Sequence, residues 1–428
     1  MTEHEREFTE RKNIDVFVGT WNVNGKKVGE DLTPWLIPNR GKRPDVYVIG
    51  FQEMVELNAQ SVLLNQAMPG IESKSKDWQN KIERVINKGI PESSEDRFVP
   101  LKSGYLVGVM LCVFATKRLN RHISEIAIQY AGVGYGGFLG NKGGVAVRFR
   151  AFDSSYCYLC AHLAAHRDKV KERNNDFASL SRKIVFEVSV KKSSLLKTTS
   201  SSSSSNNTEI QQQYVNVEGH DVLVWLGDFN YRIDSRISVD DVNVRCDKKD
   251  IEFLLRHDQL NKERSLGRAF RNFEEGKITF MPTYKYQPKT NKYERRPEKK
   301  KRAPAWCDRV LWLSSRKEDV RQIKYDRAEL VTSDHKPVYA IFQMQAKRVI
   351  EKKKAEVLEK ITYSLDKWEN EQLPQVELSE HQLNFDSVFY EERVERTFLS
   401  LFLSLSLSLS HTHISIDVHQ QVHSKFVT

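Results

Sequence analysis

The sequence predicts a mixed α/β fold of the α+β class, a sandwich around a large sheet core. Three observations lead there. Short apolar, β-branched runs recur as far as Phe342, and helix-spaced apolar residues separate some of them. The chain has 428 residues, 39% of them hydrophobic and 29% charged, enough to bury one large core with a smaller region after it.

The strand-like runs, in order, are Ile14–Val18, Val46–Phe51, Leu106–Phe114, Gly144–Phe149, Tyr156–Ala161, Val222–Leu226, Val310–Leu313 and Val338–Phe342. Trp78, Ile82 and Val85 repeat at helical spacing. So, less regularly, do Ala178, Ile184 and the apolar residues flanking Glu187. These elements place one domain over residues 12–345. Lys191 to Gln213 interrupts it with the Ser200–Ser205 run and the string NNTEIQQQ, too poor in apolar groups to pack. It reads as a mobile surface insertion over 191–218, because a strand resumes at Val222. After Gln343, Ile350, Val357, Ile361, Leu365 and Trp368 recur among charges and predict an amphipathic connecting helix over 346–371. The apolar run from Phe398 falls far short of the ~20 residues a spanning helix needs. Its LFLSLSLSLS repetition reads as a low-complexity tail over 400–428, to which no function is assigned.

The formal charge of +10 points to an anionic partner: nucleic acid, a phosphorylated solute or an acidic membrane face. Lys285 to Arg302 alone carries net +7. A charge run is usually a solvated face, so this one needs a companion signal. The five cysteines are odd in number and scattered, as suits reduced thiols in a cytosolic protein. Cys157-x-x-Cys160 lies within a strand, where the two side chains face opposite ways, and no second pair completes a zinc site. The N-terminal MTEHEREFTERKN has no apolar segment of the secretory kind.

Chemistry gathers at strand ends. VWLGDFNYRI closes a buried run with Asp228 and Asn230 two apart, which a continuing strand would point to one side. Gly, Asp and Asn are also ordinary turn residues. GTWNVNG places Asn22 and Asn24 similarly, GFQE ends the next strand at Glu53, HLAAH offers His162 and His166, and TSDHKPV sets Asp334 beside His335. Strand ends are where open α/β sheets collect their sites. Carboxylate and amide oxygens with few imidazoles and no thiols suit a hard ion, Mg²⁺. An Asp–His pair without an activated Ser or Cys argues against covalent acyl transfer. Metal, general base and phosphate-binding imidazoles together describe hydrolysis of a phosphoester by water. Gly132, Gly134 and Gly137 match G-x-G-x-x-G only weakly, with no acidic partner following. GNKGG is not a Walker loop, since Asn141 stands where a glycine is required. With Phe138 and Leu139 at its tip and Lys142 beside them, it suits contact with an anionic membrane surface.

WLGDFNYR together with PAWCDRV (Pro304–Val310) resembles the signature pair of the inositol polyphosphate 5-phosphatases. GTWNVNG, GFQE, GNKGG, HLAAH, PTYKY and SDHKP match that family in order, over roughly Asn13 to Phe342. The resemblance is strongest to the type II subgroup, which includes the Lowe-syndrome phosphatase. It implies a four-layer α/β/β/α sandwich of the DNase I-like type. SLDKWENEQLPQVELSEHQLNF resembles the start of the subgroup's β-sandwich ASH domain, which implies a truncated β-sandwich fragment over 372–399. The subgroup's RhoGAP-like domain has no counterpart, which leaves its protein partners in doubt, and Ala161 stands where the family usually has Ser.

Residue by residue, the resemblance implies that Asn22 and Glu53 hold Mg²⁺, with Asp334 supporting its water shell. Asp228 is then the general base and Asn230 orients the attacking water or scissile phosphate. His162 and His335 bind that phosphate, and Asp308 fixes the charge and tautomer of His335. Tyr284, Lys285, Lys300 and Arg302 read the neighbouring 4-phosphate, the companion signal for the basic run, and Lys142 counts among the substrate-binding residues. The expected enzyme removes the 5-phosphate of phosphatidylinositol 4,5-bisphosphate and related inositides. It would act in the cytoplasm, peripherally on the cytosolic face of membranes, without a nucleic-acid partner. The alternatives are a nuclease of the same superfamily, which PAWCDR and PTYKY count against, and an inactive inositide-binding scaffold, against which every metal and base position is filled.

Overall fold

Runs of β-branched and aromatic residues buried on both faces form the middle of two sheets. The computed structural model describes residues 4–27, 29–38, 42–55, 71–106, 108–133, 142–191 and 210–372. Its strands are β1 (Thr9–Asn22), β2 (Val46–Gln52), β3 (Phe98–Leu106), β4 (Val109–Thr116), β5 (Ile123–Val133), β6 (Lys142–Ala151), β7 (Ser154–His162), β8 (Val185–Lys191), β9 (Ile210–Asn216), β10 (Val222–Asp228), β11 (Asp308–Ser314), β12 (Val320–Arg327) and β13 (Val338–Val349). One sheet has the order β12-β13-β1-β2-β4-β3 and the other β11-β10-β7-β6-β5, while β8 and β9 pair as a hairpin. Every residue of β2, β4 and β10 is buried, as expected of strands covered on both faces.

The inner faces of the two sheets share one apolar cluster, with Val16, Val48 and Val113 from one sheet and Val145, Tyr158 and Val224 from the other. The outer face of the first sheet packs Phe17, Trp21 and Phe51 against Trp78 and Ile82 of the helix Ile71–Ile86. The outer face of the second packs Leu159 and Trp225 against Leu180 of the helix Val170–Lys183 and against Phe270. Helix, sheet, sheet, helix is the four-layer DNase I-like sandwich.

Sheet register sets the functional end. The centre of each sheet is a parallel pair, β1 with β2 and β7 with β10. The carboxyl ends of the two strands in each pair therefore emerge together, Asn22 opposite Gln52 and Asp228 opposite His162.

Several elements depart from the sequence expectation. The run Leu106–Phe114 holds the end of β3 and most of β4, joined by the turn of their hairpin. The helix around Ala178 ends at Lys183, and the residues flanking Glu187 belong to β8, where Phe186 and Val188 are buried and Glu187 and Ser189 exposed. That is a period of two. The expected insertion 191–218 loses its second part to β9 and a 3₁₀ turn at Val217–Gly219. β13 runs on to Val349, and the following helix spans Glu351–Gln372 rather than 346–371. Two compact units divide the chain at Val357, and Tyr363, Leu365 and Trp368 are exposed on the second unit's part of that helix. The expected β-fragment at 372–399 and the tail at 400–428 lie outside the described residues but for Gln372, which ends the helix, as do Phe138 and Leu139. All five cysteines are buried and free. Among the described residues, no helix is long and apolar enough to cross a membrane.

Candidate active site

Three neighbouring strands put three site residues in one row. Asp228 ends β10, pairing with His162 at the end of β7 on one side and with Asp308 at the start of β11 on the other. Gly227 allows this approach: it sits at φ +144, and a Cβ there would lie 2.0 Å from the Ala161 carbonyl oxygen. All three side chains of the row are buried.

β10 stops at Asp228, so strand alternation does not bring Asn230 to the cleft as the sequence suggested. A turn does. Asp228 Oδ1 accepts the Asn230 N–H at 3.0 Å, and Asn230 adopts φ +57, a left-handed conformation that Asn tolerates. The ordinary turn and the functional placement are the same structure. Asn230 Nδ2 donates to the Leu163 carbonyl at 3.1 Å, leaving its second N–H for another acceptor.

The first sheet contributes Asn22 and Glu53. Asn22 Nδ2 donates to Asp228 Oδ2 at 2.9 Å and to Glu53 Oε1 at 3.1 Å, spanning the two sheets. Its Oδ1 accepts the Asn24 N–H at 3.0 Å. Glu53 lies just past β2 at φ +54 with a part-exposed carboxylate. Ligand atoms of Glu53, His162 and Asp228 fall within 4.8 Å of one another. Two carboxylates held this close, joined by a neutral amide, are a donor set suited to a hard divalent cation.

Asp308 Oδ2 accepts from His335 Nδ1 at 2.9 Å and from the Thr283 hydroxyl at 2.6 Å. Burial alone would lower the pKa of His335, but Asp308 outweighs it, with Asp228 and Asp334 adding, and the imidazole is held up at about 9. His335 is therefore a cation at neutral pH. His162 is its opposite: burial, then the charges of Lys142, His335 and Arg232, push its pKa well down and keep it neutral. Lys142 Nζ lies 2.6 Å from His162 Nε2. Burial raises the Asp228 carboxyl to about 6, with Asp308 adding to the rise and His335 and Arg232 opposing it. A carboxylate just below neutrality is ionised at pH 7 yet basic enough to accept a proton.

Asp334 carries an ion pair to Lys285 at 2.9 Å, and Tyr284 sets its ring 4.5 Å from that of His335. Arg302 reaches only His166, at 3.5 Å, and Lys300 is exposed without a hydrogen bond or ion pair among the described residues. Of the thirteen expected site residues, these last two are not brought into the cluster. Lys142 corrects the membrane reading: it begins β6, and its ammonium turns inward to His162.

Three contributors were missed. Arg232 donates from Nε to the Asn230 carbonyl at 3.1 Å and from Nη2 to Asn230 Oδ1, and its guanidinium lies 4.3 Å over the Tyr284 ring. Ser333 donates to the Asn22 carbonyl at 2.7 Å, tying the Asp334–His335 turn to the end of β1. Thr283 braces Asp308. Arg232 was readable: it follows Asn230 by two residues in VWLGDFNYRI, and an arginine set between Tyr231 and Ile233 in a largely buried stretch needs a buried acceptor.

The matching protein-family model is Endonuclease/Exonuclease/phosphatase family 2, over residues 19–341. The inositol polyphosphate 5-phosphatase domain of SpSynaptojanin, solved in complex with inositol (1,4)-bisphosphate and calcium ion, is 31% identical, with a TM-score of 0.70 over 86% of this chain and 95% of that one. This chain belongs to the inositol polyphosphate 5-phosphatase family. Among curated relatives, a synaptojanin of Caenorhabditis elegans is 35% identical over 387 residues, 85% of this chain and 31% of the relative. The type II inositol 1,4,5-trisphosphate 5-phosphatase of Mus musculus is 33% identical over 399 residues, 93% of this chain and 36% of the relative. The chain thus spans about a third of the length of these relatives. A Cimex nitrophorin, at 19% identity and TM-score 0.54, shares the fold alone.

Proposed function

We propose that this chain is a Mg²⁺-dependent phosphatase that removes the 5-phosphate from phosphatidylinositol 4,5-bisphosphate and related inositides by direct attack of water. The supporting observation is the buried row His162–Asp228–Asp308 with His335 closing it, one base beside one fixed cation. Asp228 takes a proton from the attacking water, and Asn230 orients that water or the phosphate through its remaining N–H. Cationic His335, with Lys142 and His162, binds the phosphate oxygens. The phosphorus–oxygen bond to the ring breaks as the water oxygen adds, and the released ring oxygen takes a proton from solvent while Asp228 returns its own, giving the ring hydroxyl and inorganic phosphate. Asn22 and Glu53 would hold the divalent cation, with Asp334 in support; when bound, it supplies charge that offsets the developing negative charge. Tyr284, Lys285, Lys300 and Arg302 take a neighbouring phosphate, and the enzyme acts at the cytosolic face of an anionic membrane.

The test is phosphate release from a panel of lipid and soluble inositol phosphates, with and without Mg²⁺. Release confined to substrates bearing a 5-phosphate, and only with the metal, is the expected result. Cleavage of abasic DNA in its place would move the chain to the nuclease branch. Metal-independent binding without release would make it a scaffold.

A further inference from the structure

A second basic feature lies outside every residue given a role above. A groove of about 380 Å³ is lined by Lys26, Lys27, Lys74, Lys81 and Arg84, with Asp77 the one carboxylate among the described residues that line it. Lys74, Lys81 and Arg84 come from one side of the helix Ile71–Ile86, at spacings of seven and three residues. Lys26 and Lys27 come from the turn after β1. That turn is fastened to the metal-site segment, since Gly25 N–H donates to the Glu53 carbonyl and Asn24 N–H to Asn22 Oδ1. The groove therefore opens beside the catalytic cleft.

Many cations elsewhere on the surface are paired. Arg121 pairs with Glu95 at 2.7 Å, Arg236 with Asp234 at 2.7 Å and Arg295 with Asp247 at 2.8 Å. Lys27, Lys74, Lys81 and Arg84 have no ion-pair or hydrogen-bond partner among the described residues. Asp77 stands three residues after Lys74 and four before Lys81, spacings at which helical pairs close, yet neither pair forms. Several like charges gathered around a single carboxylate still repel one another, and a bound anion offsets that repulsion.

We propose that this groove binds the headgroup phosphates of anionic membrane lipids other than the substrate. The proposal rests on the lipid-phosphatase reading. A cleft that takes a headgroup from a bilayer must turn its mouth to the lipid surface, and cations on the same rim then meet neighbouring headgroups. At about 380 Å³ the groove is on the scale of one or two headgroups, which favours lipid over an extended polyanion such as nucleic acid.

The experiment uses the full chain, its Lys81→Gln/Arg84→Gln variant and, independently, Lys27→Gln/Lys74→Gln. Partitioning is measured onto phosphatidylcholine vesicles with and without phosphatidylserine, beside turnover of soluble inositol 1,4,5-trisphosphate. Each double variant should partition roughly 30-fold more weakly onto the phosphatidylserine vesicles, at about fivefold per cation, with soluble turnover unchanged. Unchanged partitioning by both variants would overturn the proposal. So would an equal loss of soluble turnover, or loss of free inositol hexakisphosphate binding with vesicle binding intact. If the wild type releases no phosphate from this substrate or from phosphatidylinositol 4,5-bisphosphate, the phosphatase reading fails, while the vesicle measurement still decides the groove.

Discussion

Arg309 and Glu275 form a two-pronged pair in the interior. Arg309 Nε donates to Glu275 Oε1 at 2.6 Å and Nη2 to Oε2 at 2.7 Å, while Nη1 reaches Asp258 at 3.0 Å. The guanidinium is fully buried. Along β11, Asp308 faces the cleft and Arg309 the opposite side, so adjacent residues of PAWCDRV serve chemistry and architecture separately. Replacing Arg309 by Met strips the buried Asp258 carboxylate of its cation and leaves Glu275 with Arg264 alone, and should cost about 3–5 kcal/mol. Urea unfolding measures it; a loss under 1 kcal/mol would mean the pair carries no structural weight.

Asp228→Asn keeps an oxygen to accept the Asn230 N–H but removes the base. Turnover should fall by roughly 10²–10⁴-fold with the unfolding midpoint little changed. A fall below tenfold in a steady-state assay would remove Asp228 from that role.

Glu53→Gln exchanges an anionic oxygen for a neutral one at a site chosen by charge. The Mg²⁺ concentration giving half-maximal activity should rise, with partial recovery at saturation. An unshifted titration curve would exclude Glu53 as a ligand.

Arg302 stands at the margin of the cluster, touching only His166. If it reads a second phosphate, Arg302→Ala should lower kcat/KM on a soluble 4,5-bisphosphate by roughly 10- to 150-fold and spare a 5-monophosphate. Equal losses on both, at fixed ionic strength, would leave only general attraction to anions.

Asp176 offers a pH test away from the reacting groups. Burial raises its carboxyl to about 6 from an ordinary 3.8, although its Oδ2 accepts the Ala164 N–H. The folded chain holds this proton more tightly than the unfolded chain, so stability is lost as pH rises through about 4 to 6. Asp176→Asn should therefore gain roughly 1–3 kcal/mol at pH 7 and nothing near pH 4. A gain of equal size at both pH values would refute burial of the charge as the cause.

What could be read in advance follows from burial. β1, β2, β4, β7, β10 and β13 carry apolar runs because their middles are buried, and β1, β7 and β10 end in the site's Asn22, His162 and Asp228. β5 and β12 escaped notice since both are edge strands, β5 exposed over Ser124–Ile126 and β12 alternating charged with apolar residues, so neither shows an unbroken apolar run. β8 was legible in the alternation of VFEVSVK but was crowded by the helix before it. Lys142 was misjudged from its chain neighbours, because side-chain direction comes from register with β5 and β7, information that pairing supplies. Arg232 and Ser333 act through contacts to Asn230 and Asn22, and in Ser333's case the sequence separation of 311 residues leaves no local trace.

The β8–β9 hairpin has a practical consequence. Lys191 and Ile210 face each other across its last rung, so the serine-rich stretch between them begins and ends at one point on the surface. Closing a longer loop there adds only about 0.6 kcal/mol per doubling of length. A fluorescent domain or affinity handle grafted between those two residues would inherit anchored ends, making this the natural port for testing the proposed membrane binding.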